Sequence, residues 1–185
     1  LKVTLIIGGA RSGKSRLAQE MAREGGGEVL FVATAEAGDD EMERRIAAHR
    51  RSRPPHWKTL EVTTNIGEKI SAEIGRASTV VVDCITLLVS NVFAAHGWST
   101  DDAEMEKAVD AEMQGLIDCV DRSEARFIIV TNEVGLGIIP ADRVSRLYRD
   151  LLGRANRMLA ARADEVLLIV AGIPLAIKKE GERGT

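Results

Sequence analysis

Eight residues near the start of the chain, Gly8-Gly9-Ala10-Arg11-Ser12-Gly13-Lys14-Ser15, follow the spacing G-x-x-x-x-G-K-[ST]. Glycines at such positions let the backbone curl so that successive N–H groups point inward, a geometry that suits phosphate oxygens. A helix opening at Gly13 would add the partial positive charge of its N-terminus. In this reading Lys14 reaches the β- and γ-phosphates, exposed rather than packed, and the Ser15 hydroxyl ligates Mg2+. A carboxylate suited to the same cation is Asp83, placed directly after the apolar run Val80-Val81-Val82; the competing role for it is a cap on the helix that follows. A third group is His49. On a helix, Met42, Ile46 and His49 share one face, with Arg45, Arg50 and Arg53 close in sequence. These arginines can form a forked phosphate clamp, or a solvated face beside a core-edge histidine.

The elements that must position these residues alternate. Apolar runs at residues 3–7, 28–33, 78–83, 126–131 and 165–170 read as strands buried on both faces, with a weaker extended piece at 58–62. Helical patterns lie between them, at 13–23, 39–51, 65–76, 85–95, 101–121 and 141–163. Pro54-Pro55 stops the second of these. The pattern predicts an α/β fold with a mostly parallel sheet flanked by helices, as a single P-loop nucleotide-binding domain over residues 1–185 whose polar tail, 178–185, is frayed. Aromatic residues are only 3 % of the 185, so the core must be aliphatic. The net charge of −3 argues against a general nucleic-acid binder. Cys84 and Cys119 have neither metal-site nor disulfide-framework spacing and read as buried, inert thiols. No apolar stretch approaches the roughly 20 residues of a membrane span, and a reducing cytoplasm is expected.

Cradle and carboxylate together predict a nucleotide enzyme without choosing among kinase, GTPase and ATPase. The guanine-reading Asn-Lys-x-Asp of small GTPases has no counterpart; the nearest run is Thr131-Asn132-Glu133-Val134. A small-molecule kinase with a structural His49, and a nucleotide-gated binding protein, stay open on these residues alone.

Beyond the cradle, the chain carries Val32-Ala33-Thr34, Asp39-Asp40-Glu41-Met42, Arg45-Ile46, His49-Arg50, Arg53-Pro54, His56-Trp57, Asp83-Cys84-Ile85-Thr86, Thr131-Asn132-Glu133-Val134-Gly135, Ala163-Asp164-Glu165-Val166 and Gly172-Ile173. With these it resembles the bifunctional adenosylcobinamide kinase / adenosylcobinamide-phosphate guanylyltransferase family of cobalamin biosynthesis, from about Val3 to Lys178. The resemblance implies that ATP or GTP phosphorylates the hydroxyl on the aminopropanol arm of adenosylcobinamide. GMP then passes from GTP through a GMP-histidine to that phosphate, giving adenosyl-GDP-cobinamide and pyrophosphate. By position His49 is the guanylylated residue. Some relatives carry two adjacent histidines here, whereas this chain has Ala48-His49. The resemblance further implies catalytic Lys14, nucleotide contacts from Gly8, Gly9, Ala10, Arg11, Ser12, Gly13, Lys14, Ser15, Ala33, Thr34, Ala35, Arg50, Arg51, Ser52, Arg53, Glu61 and Asp83, and Mg2+ on Ser15 and Asp83. A homo-oligomer, with a trimer expected, is implied as well. His56 and His96 are expected to be structural or solvated.

Overall fold

The computed structural model describes residues 2–35, 47, 50–51, 53–98, 101–179 and 181. Seven strands form one sheet: β1 (Val3–Gly8), β2 (Val29–Ala33), β3 (Lys58–Glu61), β4 (Thr79–Asp83), β5 (Arg126–Asn132), β6 (Glu165–Val170) and β7 (Ile173–Lys178). Their order is β3-β2-β4-β5-β1-β6-β7, all parallel except β7, which runs back along β6. Val3–Gly8 is buried at every position, as a strand covered on both faces must be. The described helices are α1 (Lys14–Gly25), α2 (Ile66–Glu73), α3 (Ile85–His96), α4 (Asp102–Arg122) and α5 (Arg143–Arg162).

The helices divide unequally between the two faces. On one, Ala18 and Ala22 of α1 pack on Ile6, Phe31, Val81, Ile128 and Val130. Their small side chains let the helix axis come close to the strands. On the other, α2 to α5 bury a larger aliphatic cluster against Leu5, Val32, Val82, Phe127 and Ile129. Alternate residues of the same strand thus feed opposite cores, the period of two expected of a pleated chain. Helix starts are fixed locally: Asp101 accepts from Ala103 N (3.0 Å) and Asp142 from Ser145 N (2.8 Å). The start of α2 is held from outside, by Glu112 of α4, which accepts from Asn65 N (2.9 Å) and Ile66 N (2.7 Å).

One corner joins the first and last strands. Asp164, just after α5, accepts from the amides of Lys2 and Val3, both at 2.8 Å. Lys178, at the end of β7, reaches the last carbonyls of the same helix, Ala160 at 2.9 Å and Ala163 at 2.5 Å.

Six of the seven strands were expected. β7 was not: Pro174 interrupts its short run, and proline is tolerated in strands only at edges, where β7 lies. Of the helix expected over 39–51, Ala47, Arg50 and Arg51 are helical; Met42, Ile46 and His49 lie outside the described residues. No described helix is long and apolar enough to cross a membrane.

Candidate active site

Parallel strands deliver all their C-terminal ends to one edge of the sheet, and the chemistry-bearing residues gather there. The loop Gly8–Gly13 leaves β1 between the ends of β5 and β6. Gly8 fits because a β-carbon there would stand 2.5 Å from the Ile169 carbonyl oxygen. Gly13 has φ of 101°, a left-handed conformation that turns the loop into α1. Gly9, Ala10 and Arg11 are exposed, while Ser12, Gly13 and Ser15 are half-buried.

Lys14 departs from the sequence expectation. Its side chain is buried, 6 % exposed, with Nζ donating to Gly9 O at 2.5 Å and lying 3.4 Å from Ser12 Oγ. The loop wraps around the lysine, so its ammonium finds a carbonyl before it finds solvent. Burial pulls the Lys14 pKa below that of an ordinary lysine, against the opposing fields of Cys84 and Asp83.

Asp83 ends β4, two strands from β1 with β5 between them. The backbone just beyond it is held by Thr34. That side chain is fully buried, and its hydroxyl donates to Cys84 O and accepts from Cys84 N, each at 2.7 Å. Thr34 N donates to Asp83 O (3.2 Å), and Asn91 Nδ2 donates to Thr34 O (2.8 Å). The Thr34 hydroxyl is therefore occupied by the protein's own backbone. Ala33 beside it is buried and Ala35 half-buried. Of the two cysteines, Cys119 is buried as expected, but Cys84 is only half-buried because it sits at this strand exit. Burial and the neighbouring Asp83 push its pKa up to about 11, so the thiol is not a ready nucleophile.

The arginine segment reaches the same edge. The Arg53 guanidinium lies 3.8 Å from the centre of the Phe31 ring, which stacks on Trp57; Arg23 covers Trp57 from 5.7 Å. Trp57 is thus the anchor that fixes the segment against α1 and β2. Burial, together with Arg50, pulls the Arg53 pKa down, and Asp83 and Glu61 oppose it. Arg50 pairs with Glu61, both largely exposed, and Arg51 is exposed. Ser52 and His49 lie outside the described residues. His56 is exposed, and so is His96, whose Nδ1 lies 3.0 Å from Val92 O.

Sequence reasoning missed a polar network below this edge. Thr131 Oγ1 donates to Asn156 Oδ1 (2.7 Å) and Asn156 Nδ2 to Asn132 O (3.0 Å). Asn132 N donates to Thr86 Oγ1 (2.9 Å), and Tyr148 OH to Thr86 O (2.8 Å). The available signal was an asparagine on the buried face of α5, where an amide needs partners.

Among the described residues no group of three or more His, Cys, Asp or Glu could hold a metal ion. Ser15 on α1 and Asp83 at the end of β4 are the hydroxyl and the carboxylate that would hold Mg2+ arriving with nucleotide phosphates, a hard ion that takes few protein oxygens and completes its shell from phosphate and water.

A glycine-rich loop between a buried strand and a helix, a buried lysine and an aspartate at a nearby strand end define a P-loop nucleotide enzyme. Comparison narrows the class. The pattern of the CobU family, described as cobinamide kinase / cobinamide phosphate guanyltransferase, matches residues 4–177, and the chain belongs to that family. It is 44 % identical over 179 residues to the bifunctional adenosylcobalamin biosynthesis protein CobU of Escherichia coli strain K12, covering 94 % of this chain and 98 % of that one. The Salmonella typhimurium protein of the same name is equally similar, at 44 % with the same coverage. The bifunctional adenosylcobalamin biosynthesis protein CobP of Pseudomonas aeruginosa is 42 % identical over 176 residues, 95 % of this chain and 97 % of that one.

Proposed function

We propose that this chain, as one domain, carries out both reactions of its family: phosphorylation of adenosylcobinamide by ATP or GTP, then guanylyl transfer from GTP by way of His49. The observation that carries the reading is the gathering at one edge of the sheet of the cradle with its buried Lys14, Asp83 at the end of β4 and the Arg53 guanidinium over the Phe31 ring. Chemistry on two different phosphates of a nucleotide needs cations near both.

In the first reaction the acceptor hydroxyl attacks the γ-phosphorus, the bond to the β-bridging oxygen breaks, and the nucleoside diphosphate leaves with the hydroxyl proton lost to solvent. No protein nucleophile is required. Lys14 moves from Gly9 O to the phosphates, and the loop amides orient them. Bound Mg2+ on Ser15 and Asp83 would supply charge neutralisation between the phosphates. In the second reaction neutral imidazole of His49 forms a bond to the α-phosphorus of GTP, and pyrophosphate leaves. The new phosphate of the acceptor then attacks that phosphorus, and the P–N bond breaks to return the imidazole. An ordinary histidine pKa of about 6.5 keeps enough neutral imidazole at pH 7. Nearby guanidinium groups would favour it further.

The assembly proposed is the homo-oligomer, a trimer, that the resemblance implies. Leu175 and Ile177, exposed on edge strand β7, supply an apolar face for such contact. The two free cysteines suit a reducing cytoplasm.

The test separates the two activities. His49→Ala should abolish acid-labile labelling of the protein by α-labelled GTP and all guanylyl transfer, while retaining phosphorylation of adenosylcobinamide. Lys14→Ala should lower both by about 10²-fold or more. A GMP-protein adduct on His49→Ala would remove His49 from the mechanism and make His56 the next candidate.

A further inference from the structure

A kinase must seat two substrates, and the cradle accounts for one. The residues bordering its mouth on both sides are apolar and outward-facing. On the β5 side the chain from Val134 to Ala141 carries no charge, and Leu136, Ile138 and Ile139 are 87 %, 96 % and 69 % exposed. On the β6 side stands Val170, beside a turn so close to the cradle that a β-carbon on Gly13 would lie 3.7 Å from Gly172 Cα. A contiguous run of exposed apolar side chains of this kind marks a binding surface.

The first loop is held at its base, not loose. Glu133 N donates to Gly8 O (3.1 Å), the cradle's own first residue. Gly135 N donates to Glu133 Oε1 (2.6 Å), and Arg146 Nη1 to the carbonyls of Pro140 (3.0 Å) and Ala141 (2.6 Å). Polar backbone and the one acidic side chain are spent in fixing the two ends, and the apolar tip is presented between them.

We infer that this two-sided apolar rim, centred on Leu136, Ile138 and Ile139, is the docking surface for the body of the acceptor, a large macrocycle with methyl-lined faces. The inference rests on the kinase reading above. The reacting hydroxyl sits at the end of a short arm and must reach the γ-phosphate over the cradle, so the ring it hangs from must lie on what borders the cradle. A cavity of about 580 Å3 between α2, α3 and α4 does not serve, because none of its lining residues, Asn65, His96 and Glu112 among them, belongs to the cradle. Apolar contact also suits an acceptor that both reactions must bind, since it holds the ring without engaging the arm that changes from alcohol to phosphate.

The experiment is steady-state kinetics of the full-length double variant Leu136→Ser with Ile138→Ser. The expected result is a KM for adenosylcobinamide raised at least tenfold, with kcat within about twofold of wild type and the dissociation constant of a fluorescent GTP analogue unchanged. Should the double variant fail to bind the analogue, Ile138→Ser alone carries the same expectation at about threefold, because a side chain so exposed supports no core. Wild type active and the variant's KM unchanged overturns the site alone. A variant of altered mass in light scattering overturns it by assigning the tip to a second copy of the chain. Wild type inert towards adenosylcobinamide overturns the kinase reading, and this site with it.

Discussion

Lys14 shows what a single residue's setting adds to its identity. Its place in the cradle is legible from spacing, but its burial is not, because the carbonyl that receives its ammonium belongs to a loop whose curl the spacing only implies. Burial lowers its proton affinity, and an anionic phosphate arriving beside it must raise that affinity again. Nucleotide binding should therefore take up protons at alkaline pH, and affinity should fall as pH rises through the lowered value of the free protein. Calorimetric titration with GTP at about pH 9, well above the second phosphate ionisation near 6, in two buffers of different ionisation enthalpy reads this directly. Wild type should show greater proton uptake than Lys14→Arg, which cannot deprotonate; equal uptake in both would assign the proton elsewhere. Glu61 gives the converse case. It pairs with Arg50, eleven positions before it in the chain, and an exposed pair of this kind contributes only about 0–1 kcal/mol.

At the scale of elements, the strands and helices were legible wherever apolar periodicity ran unbroken, and β7 escaped because Pro174 breaks it. What periodicity could not reveal is how one strand fixes the exit of its neighbour. Thr34 is expected to contact nucleotide, yet its hydroxyl holds both backbone groups of Cys84 and so fixes the chain directly after Asp83. Thr34→Val keeps the shape and leaves a buried N–H and C=O without that partner, at a cost on the order of 2 kcal/mol. The variant should also need several-fold more divalent cation for half-maximal kinase activity, in the same direction as Asp83→Asn, while Thr34→Ser should restore the wild-type titration. If Asp83→Asn shifts the titration and Thr34→Val does not, Thr34 only stabilises the fold.

At the scale of the molecule, the strand order lay beyond the sequence. Every parallel crossover satisfies the same pattern of strands and helices, so nothing in it says that β5 inserts between the cradle strand β1 and the Asp83 strand β4. Strands spaced by about 4.8 Å put these two roughly 10 Å apart, a gap that a phosphate chain and its cation can bridge. The corner where Asp164 ties down Lys2 and Val3, and Lys178 ties down the end of α5, has a consequence of its own. Only β6 separates the first strand from the last, so covalent continuity there is interchangeable with continuity elsewhere. A circularly permuted chain, with Lys179 joined to Lys2 by a linker of a few residues and new ends opened between α3 and α4, should fold and bind a fluorescent GTP analogue within about threefold of the native order. Loss of binding in that permutant would mean that the order in which the strands leave the ribosome, and not their final contacts alone, decides how the sheet is threaded.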